Sequence, residues 1–443
     1  MTSETKLVTL DGGCVTIDSL ISNTGGQGDV YRVSYRGHPY ALKWFNRDTR
    51  DVIGSAFYRN IAQLCSTEPP SEKFIWPQII VTEPNAHDGA QFGYLMEIFP
   101  NGYTEMNDYF RADSDPRAVR YKGYNALLTA GMNVAAAMRE LHVMLGMSYK
   151  DLNPKNFAIN PNNGDILVID NDNVSADGFS NVSGMNGYMA PEIQRSKFRE
   201  RPNTRTDYYS LAVILYRMFF TDHPMEGRLW HKYPIHDART EGILYSIHPV
   251  FCFDPNDSSN RPDSVYAPNA SRRWVSMPVR LRQLFIDAFT KGIDAPGRRP
   301  PENAWIRAIA DARDKLIRVP MKTSSGKALC EQFVNFEDRK SIPPMCLALN
   351  TSSGYKVALY PGKAIYTISI NGDVNCYQDT FAGVVYYAER RLGIRNLSGK
   401  EWQVKMPNNG SKTVVRPNEE IPIVPGCEFV FQDNGLTGFV QQS

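Results

Sequence analysis

The chain has 443 residues, 42% hydrophobic and 22% charged, with a formal net charge of +2. That length predicts two or three folding units and the composition is globular, while a near-neutral balance argues against steering to nucleic acid or an acidic membrane. The seven cysteines (Cys14, Cys65, Cys252, Cys330, Cys346, Cys376, Cys427) are scattered and form no CxxC pair, which speaks for free thiols in a reducing compartment.

Met1–Lys6 is polar, unlike a signal peptide, so a cytoplasmic location is expected. Strand patterns run from Leu7 to about Phe99: Leu7–Leu10 and Val15–Ile17 flank the turn Asp11-Gly12-Gly13, Val30–Tyr35 and Tyr40–Phe45 flank Arg36-Gly37, and Phe92–Ile98 follows. A helix is expected over Asp51–Cys65 before Pro69-Pro70. From about Tyr103 to Val319 helical spacing dominates, with helices at Asn125–Leu145, Asp207–Phe220 and Pro278–Lys291. The apolar run Leu211–Phe220 is too short to span a bilayer and carries Arg217, so no membrane partner is expected. Residues 225–273 are rich in Pro, Asp, Asn and aromatics and read as an ordered insertion. Residues 320–345 read as a linker. From Cys346 onward short strands recur, one of them at Ala364–Ile370, which predicts a small all-β sandwich over 346–443.

The chemistry concentrates in a few ordered motifs. Asn23-Thr24-Gly25-Gly26-Gln27-Gly28-Asp29-Val30 lies between two strand patterns, where glycines let backbone approach a polyphosphate, and Lys43 follows one strand later. Asp151 and Asn156, five positions apart in one loop, suit proton acceptance and Mg²⁺ binding. Val168-Ile169-Asp170-Asn171-Asp172 then delivers carboxylates from a strand end. Gly187-Tyr188-Met189-Ala190-Pro191-Glu192, Asp207 and Arg299 complete the series.

This set resembles the eukaryotic-like protein kinase family over roughly residues 7–318. The catalytic loop follows the HRDLKPEN pattern, Ala190-Pro191-Glu192 follows APE, and Asp170-Asn171-Asp172 stands where DFG would. The resemblance implies a bilobal α+β fold, a β-rich N-lobe (1–98) and a helical C-lobe (99–319), and the use of ATP and Mg²⁺ to phosphorylate a protein substrate, with the chain itself as one candidate. Gly25, Gly26, Gly28 and Val30 would cover the nucleotide and Lys43 would bind its phosphates. The backbone at Glu97 and Phe99 would hold adenine beside a gatekeeper, Met96. Asp151 would orient or deprotonate the acceptor hydroxyl, and Asn156 and Asp170, with Asp172, would hold Mg²⁺. Glu192 and Arg299 would form a buried ion pair, and Asp207 would brace the catalytic loop.

Asp170-Asn171-Asp172-Asn173, Phe251-Cys252-Phe253-Asp254-Pro255 and Asn260-Arg261-Pro262 are similar to bacterial kinases encoded beside a phosphatase and a von Willebrand-type protein in tellurite-resistance-like clusters, which implies those two as partners. The C-terminal stretches Asn396–Trp402 and Pro425–Phe431 resemble a forkhead-associated domain, but the phosphopeptide-binding Gly-Arg pair is missing near Tyr366–Ile368, so a docking module is expected.

The pattern also departs from the family. The helix at Asp51–Cys65 has no Glu to pair with Lys43, leaving Gln63, Asn60 or Asp172 as its neighbours. Lys150 replaces the clamp arginine and cannot make a bidentate fork. Asn153 and Met185 replace the residues that mark Ser/Thr kinases, so these positions do not fix the acceptor and Ser/Thr stands only as the default; Ser175, Ser180 and Ser183 are candidate modification sites. Two rival readings are a nucleotide-binding pseudokinase scaffold, suggested by the missing Glu, and a small-molecule kinase, which shares the Asp-x-x-x-x-Asn loop; the APE triplet, Asp207 and Arg299 weigh against the latter. His223, His231, His236, His248 and Cys252 match no zinc spacing.

Overall fold

The computed structural model describes residues 5–442 apart from 24–25, 180–183, 198, 263–264, 266, 324–325, 338–341, 344–345, 378–379, 409 and 432–434, and apart from the side chains of 321–328. The chain forms two compact units. One comprises residues 1–119, 137–160 and 166–210, and the other 120–136, 161–165 and 211–443.

In the first unit, strands β1 (Leu7–Thr9), β2 (Cys14–Ser22), β3 (Gly28–Tyr35), β4 (His38–Phe45), β5 (Ile79–Thr82) and β6 (Phe92–Met96) close an antiparallel barrel in the order β1-β2-β3-β4-β6-β5. Arg36 and Gly37 have φ of 50° and 79°, the two positive values of the hairpin turn whose twist matches its strands. The inward positions Val15, Ile17, Tyr31, Val33, Leu42, Trp44, Val81 and Leu95 make the barrel core. Helix α1 (Ala56–Cys65) starts five residues later than expected, because Ser55 caps it by accepting from the Tyr58 N–H. It buries Asn60, Ile61 and Leu64.

Past β7 (Thr104–Glu105) and helix α2 (Tyr124–Glu140), four short strands set two loops against each other. Strand β8 (Met147–Ser148) and β9 (Phe157–Ile159) flank the loop 149–156, while β10 (Ile166–Val168) and β11 (Ser175–Ala176) flank 169–174. Because β9 pairs with β10 and β8 with β11, both antiparallel, the two loops are forced side by side. Helix α3 (Pro191–Arg195) opens on a proline, and α4 (Thr204–Phe220) carries Asp207 in its first turn.

The second unit holds α5 (Ala238–Gly242), α6 (Pro268–Trp274), α7 (Val279–Phe289), α8 (Lys291–Asp294) and α9 (Glu302–Asp314). Aromatic rings of 225–273 stack on each other and on the residue that follows: Trp230 on His236 at 3.9 Å between centroids and Phe253 on Trp274 at 4.1 Å. Among the described residues no group of three His, Cys, Asp or Glu side chains gathers in a metal-binding arrangement, and no helix is long and apolar enough to cross a membrane.

The stretch 320–345, expected as a linker, begins inside a hairpin of β12 (Leu316–Thr323) and β13 (Gly326–Phe333). Polar cross-strand partners hide the strand signal: Arg318 faces Glu331 and pairs with it at 3.2 Å. Two antiparallel sheets follow. One has the order β15 (Lys356–Leu359), β14 (Leu347–Thr351), β23 (Thr437–Gln442), β22 (Glu428–Val430), β19 (Trp402–Lys405), β20 (Lys412–Val415), and the other β16 (Ala364–Tyr366), β17 (Phe381–Ala388), β18 (Arg391–Asn396), β21 (Glu420–Pro422). Leu349, Val357, Val385, Ile394, Trp402, Phe429 and Val440 from both sheets meet in one core. The expected strand Ala364–Ile370 stops at Tyr366; a helical turn, α10 (Thr367–Asn371), replaces its second half. Ile368 and Ile370 are buried in either conformation, so apolar spacing alone did not separate the two.

Buried polar ties bind this β region to α9. Lys363 Nζ donates to the carbonyls of Arg313 (2.6 Å) and Leu316 (2.9 Å). Arg313 lies 3.3 Å from the centroid of the Tyr366 ring and donates to the Tyr377 carbonyl. The Tyr377 hydroxyl reaches Asn133 Oδ1 on α2 at 3.0 Å.

Candidate active site

The first unit brings Lys43, Asp170 and Asp172 into contact and ties Asp151 to Asn156. Lys43 lies on β4 opposite Val30 on β3 and Tyr94 on β6. Its ammonium bonds to Asp170 Oδ1 and, at 2.6 Å, to Asp172 Oδ2, over sequence separations of 127 and 129 residues. Lys43 is buried and Asp172 wholly so, while the Asp170 side chain keeps 38% of its surface exposed. Burial opposes the Lys43 charge, yet the two carboxylates outweigh it and hold the ammonium above its ordinary range. Two carboxylates against one ammonium leave an excess negative charge, so burial and then repulsion from Asp170 push the Asp172 carboxyl up, with Lys43 pulling the other way.

Asp170 sits at φ 60°, a left-handed conformation for which Asp is one of the tolerant side chains. Neighbouring groups hold that bend. The Tyr149 hydroxyl lies 2.5 Å from the Ile169 carbonyl and 3.0 Å from that of Asp170, and Asn171 Nδ2 donates to the carbonyls of Ile75 and Val168. From α1, Asn60 Nδ2 donates to the carbonyls of Asp172 (3.3 Å) and Val174 (3.0 Å).

The facing loop is equally well tied. Asn156 Nδ2 donates to the Asp151 carbonyl at 2.7 Å, and Asn153 Nδ2 donates to the Asp151 carbonyl and to its Oδ1. Burial pushes the Asp151 carboxyl up to about 6; the Asn153 hydrogen bond works against that and the Asp170 charge adds to it. Beneath the loop, buried Asp207 accepts from the backbone N–H groups of Tyr149 (2.5 Å) and Lys150 (3.0 Å), and His142 Nε2 lies 3.0 Å from it. Lys150 turns inward, donating to Ser175 Oγ and, at 2.7 Å, to the Ala176 carbonyl. That makes Ser175 a buried structural hydroxyl rather than the exposed modification site expected; Ser180 and Ser183 lie outside the described residues.

In the glycine segment Gly25 lies outside the described residues. Gly26 is exposed, and a Cβ on it would meet nothing within 4 Å. Gly28 is a packing glycine: a Cβ there would stand 2.3 Å from the Trp44 carbonyl oxygen. Met96 ends β6 opposite Ala41 and packs against the cluster of Ile75, Ala158 and Leu167, beside Ile169 and Tyr103. Glu97 and Phe99 follow it, both exposed.

Sequence reasoning assigned no role to Tyr149, His142 or Gly93. Gly93 faces the strand of Lys43, with a Cβ only 2.4 Å from the Lys43 carbonyl. Its signal was a lone glycine inside an apolar strand, which marks close backbone approach. Tyr149, a polar-tipped aromatic opening the acidic loop, was the other available cue.

Serine/threonine-protein kinase mos of Xenopus laevis is 27% identical over 224 residues, which is 46% of this chain and 57% of that protein, so the chain spans little more than half its length. A solved structure, the ROP18 kinase domain in complex with AMP-PNP and sucrose, is 14% identical, covering 68% of this chain and 80% of that one at a TM-score of 0.44. The family model for the protein kinase domain matches residues 23–273, more than half of the sequence, and the chain therefore belongs to the protein kinase family.

Proposed function

We propose that this chain is an active protein kinase that transfers the γ-phosphoryl group of ATP to a protein hydroxyl, Ser/Thr by default. One observation carries the reading: Lys43 and Asp170, far apart in sequence, share an ion pair beside the half-buried Asp151 carboxylate. Phosphoryl transfer needs little covalent chemistry from a protein and much positioning of charge, and three rigidly held groups of these types supply it. Lys43 neutralises phosphate oxygens. Asp151, held by Asn153 and the backbone under it, accepts the proton of the acceptor hydroxyl. Glu97 and Phe99 offer backbone groups to adenine, with Met96 at its edge.

The donor set suits Mg²⁺. Asn156 turns its amide nitrogen to the Asp151 carbonyl, which leaves the amide oxygen, and Asp170 adds a partly exposed carboxylate; a few hard oxygens beside phosphate are what this ion takes. When bound it would supply charge compensation to the β- and γ-phosphates.

Further readings rest on the resemblance in sequence: a bacterial cytoplasmic kinase, a phosphatase and a von Willebrand-type protein as partners, autophosphorylation, and a forkhead-associated-like sandwich at 346–443 that docks partners. The two sheets sharing one core support the last.

The test is radiolabel transfer from ATP with Mg²⁺ by the purified chain. Asp151→Ala and Asp170→Ala should each lower turnover at least a hundredfold while melting like wild type. Wild-type turnover in either variant would overturn the assignment, and nucleotide binding by the wild type without any transfer would favour a scaffold.

A further inference from the structure

We infer that Asp172, not a residue of helix α1, is the positioning partner of Lys43, and that Asn60 on α1 serves by holding the backbone around Asp172. The inference rests on the kinase reading and gives Asp172 a role other than metal binding. Helix α1 carries no acid, so an ammonium at Lys43 requires a carboxylate from elsewhere. Asp172 Oδ2 provides it at 2.6 Å, from a side chain with no exposed surface. Its other oxygen, Oδ1, is buried without a hydrogen-bond partner among the described residues. Complete enclosure suits an ion-pair partner and opposes Mg²⁺ ligation, because that ion keeps several waters. Asp170, partly exposed and next to the Asn156 loop, is the better ligand of the two.

Asn60, buried on α1, bonds to the segment around Asp172 and not to the lysine. Its amide donates to the Asp172 and Val174 carbonyls, fixing the segment instead of the cation. One segment, Asp170–Val174, thus presents both the exposed carboxylate and the lysine's partner. In kinases that pair this lysine with a helix glutamate, a helix displacement breaks the pair. Here the pair depends on the order of residues 170–174, and α1 acts on it through two hydrogen bonds.

The experiment measures binding of an ATP analogue by calorimetry, with EDTA and with Mg²⁺, for wild type, Asp172→Asn, Lys43→Met and the double variant, with melting curves as the folding control. Asp172→Asn should weaken binding about tenfold in both buffers, and the double variant should match Lys43→Met within about twofold, since contacting groups couple. Asn60→Ala, which leaves both charges in place, should weaken binding about threefold in wild type and not in the Lys43→Met background; it decides the matter where Asp172→Asn does not fold. Equal losses in the two backgrounds, or an Asp172→Asn effect seen only with Mg²⁺, would overturn the inference and leave the kinase reading intact. A wild-type chain that binds no analogue overturns both.

Discussion

Replacing Asp207 with alanine removes the acceptor beneath the acidic loop. Two backbone N–H groups, of Tyr149 and Lys150, lose a charged partner at 2.5 and 3.0 Å in a site where Asp207 is 1% exposed. Hydrogen bonds to a charged group contribute about 1.5–3 kcal/mol each, and orphaned buried donors forfeit most of that. The pair therefore sets a loss of about 3–6 kcal/mol, with His142 adding to it. For a unit of this size each kcal/mol moves the melting temperature by about 2–4 °C, so the Asp207→Ala midpoint should fall by about 6–24 °C. Asp207→Asn keeps the shape and one acceptor and should lose roughly half as much. Because Asp151 follows these N–H groups directly, the freed loop should also lose on the order of a hundredfold in transfer rate, the usual effect of an ångström of misplacement. Circular dichroism melts and the radiolabel assay read the two effects. An Asp207→Ala chain that melts within about 2 °C of wild type and keeps its turnover would refute the reasoning.

Two further outcomes concern the second unit. Burial pushes the Lys363 ammonium down to about 8 from 10.5, with Asp314 opposing. Between those pH values the unfolded chain holds a proton that the folded chain has released, so stability rises with pH across that window and is lost again as pH falls toward 8. Relative to Lys363→Met, wild type should gain on the order of 2–3 kcal/mol between pH 8 and 10.5 in chemical denaturation, and parallel curves would contradict it. Trp402 is 1% exposed, stacks edge-on to Phe431 and donates to Ser398 Oγ. Trp402→Ala should cost about 3–5 kcal/mol in the unfolding transition of this unit, and a loss below about 1 kcal/mol would mean the core closes around the gap.

Much of the site was readable before any coordinates. The turn Arg36-Gly37, the strand carrying Lys43 and the loop from Asp151 to Asn156 are local patterns that stand where their residues predicted, and Asp207 lies in the first turn of α4, which begins three residues earlier than expected, at Thr204. The readings that changed have physical causes. Residues 320–345 looked like a linker, yet 320–323 and 326–333 lie in a hairpin whose strands are joined by polar partners such as Arg318 and Glu331 instead of apolar alternation. Ala364–Ile370 looked like one strand because four apolar residues bury equally well when the chain turns helical at Thr367. Ser175 looked available until Lys150 turned inward to it.

Sequence alone determined which chemical groups exist and their order, since glycine turns, capping residues and strand periodicity act over a few neighbours. It left three candidates for the companion of Lys43, in Gln63, Asn60 and Asp172. That choice belongs to the tertiary structure, because it depends on which of several distant groups an antiparallel pairing of β8 with β11 and β9 with β10 carries to the ammonium. Hydrogen bonds and charges act at about 3 Å, and only the folded chain sets distances that short between residues more than a hundred positions apart.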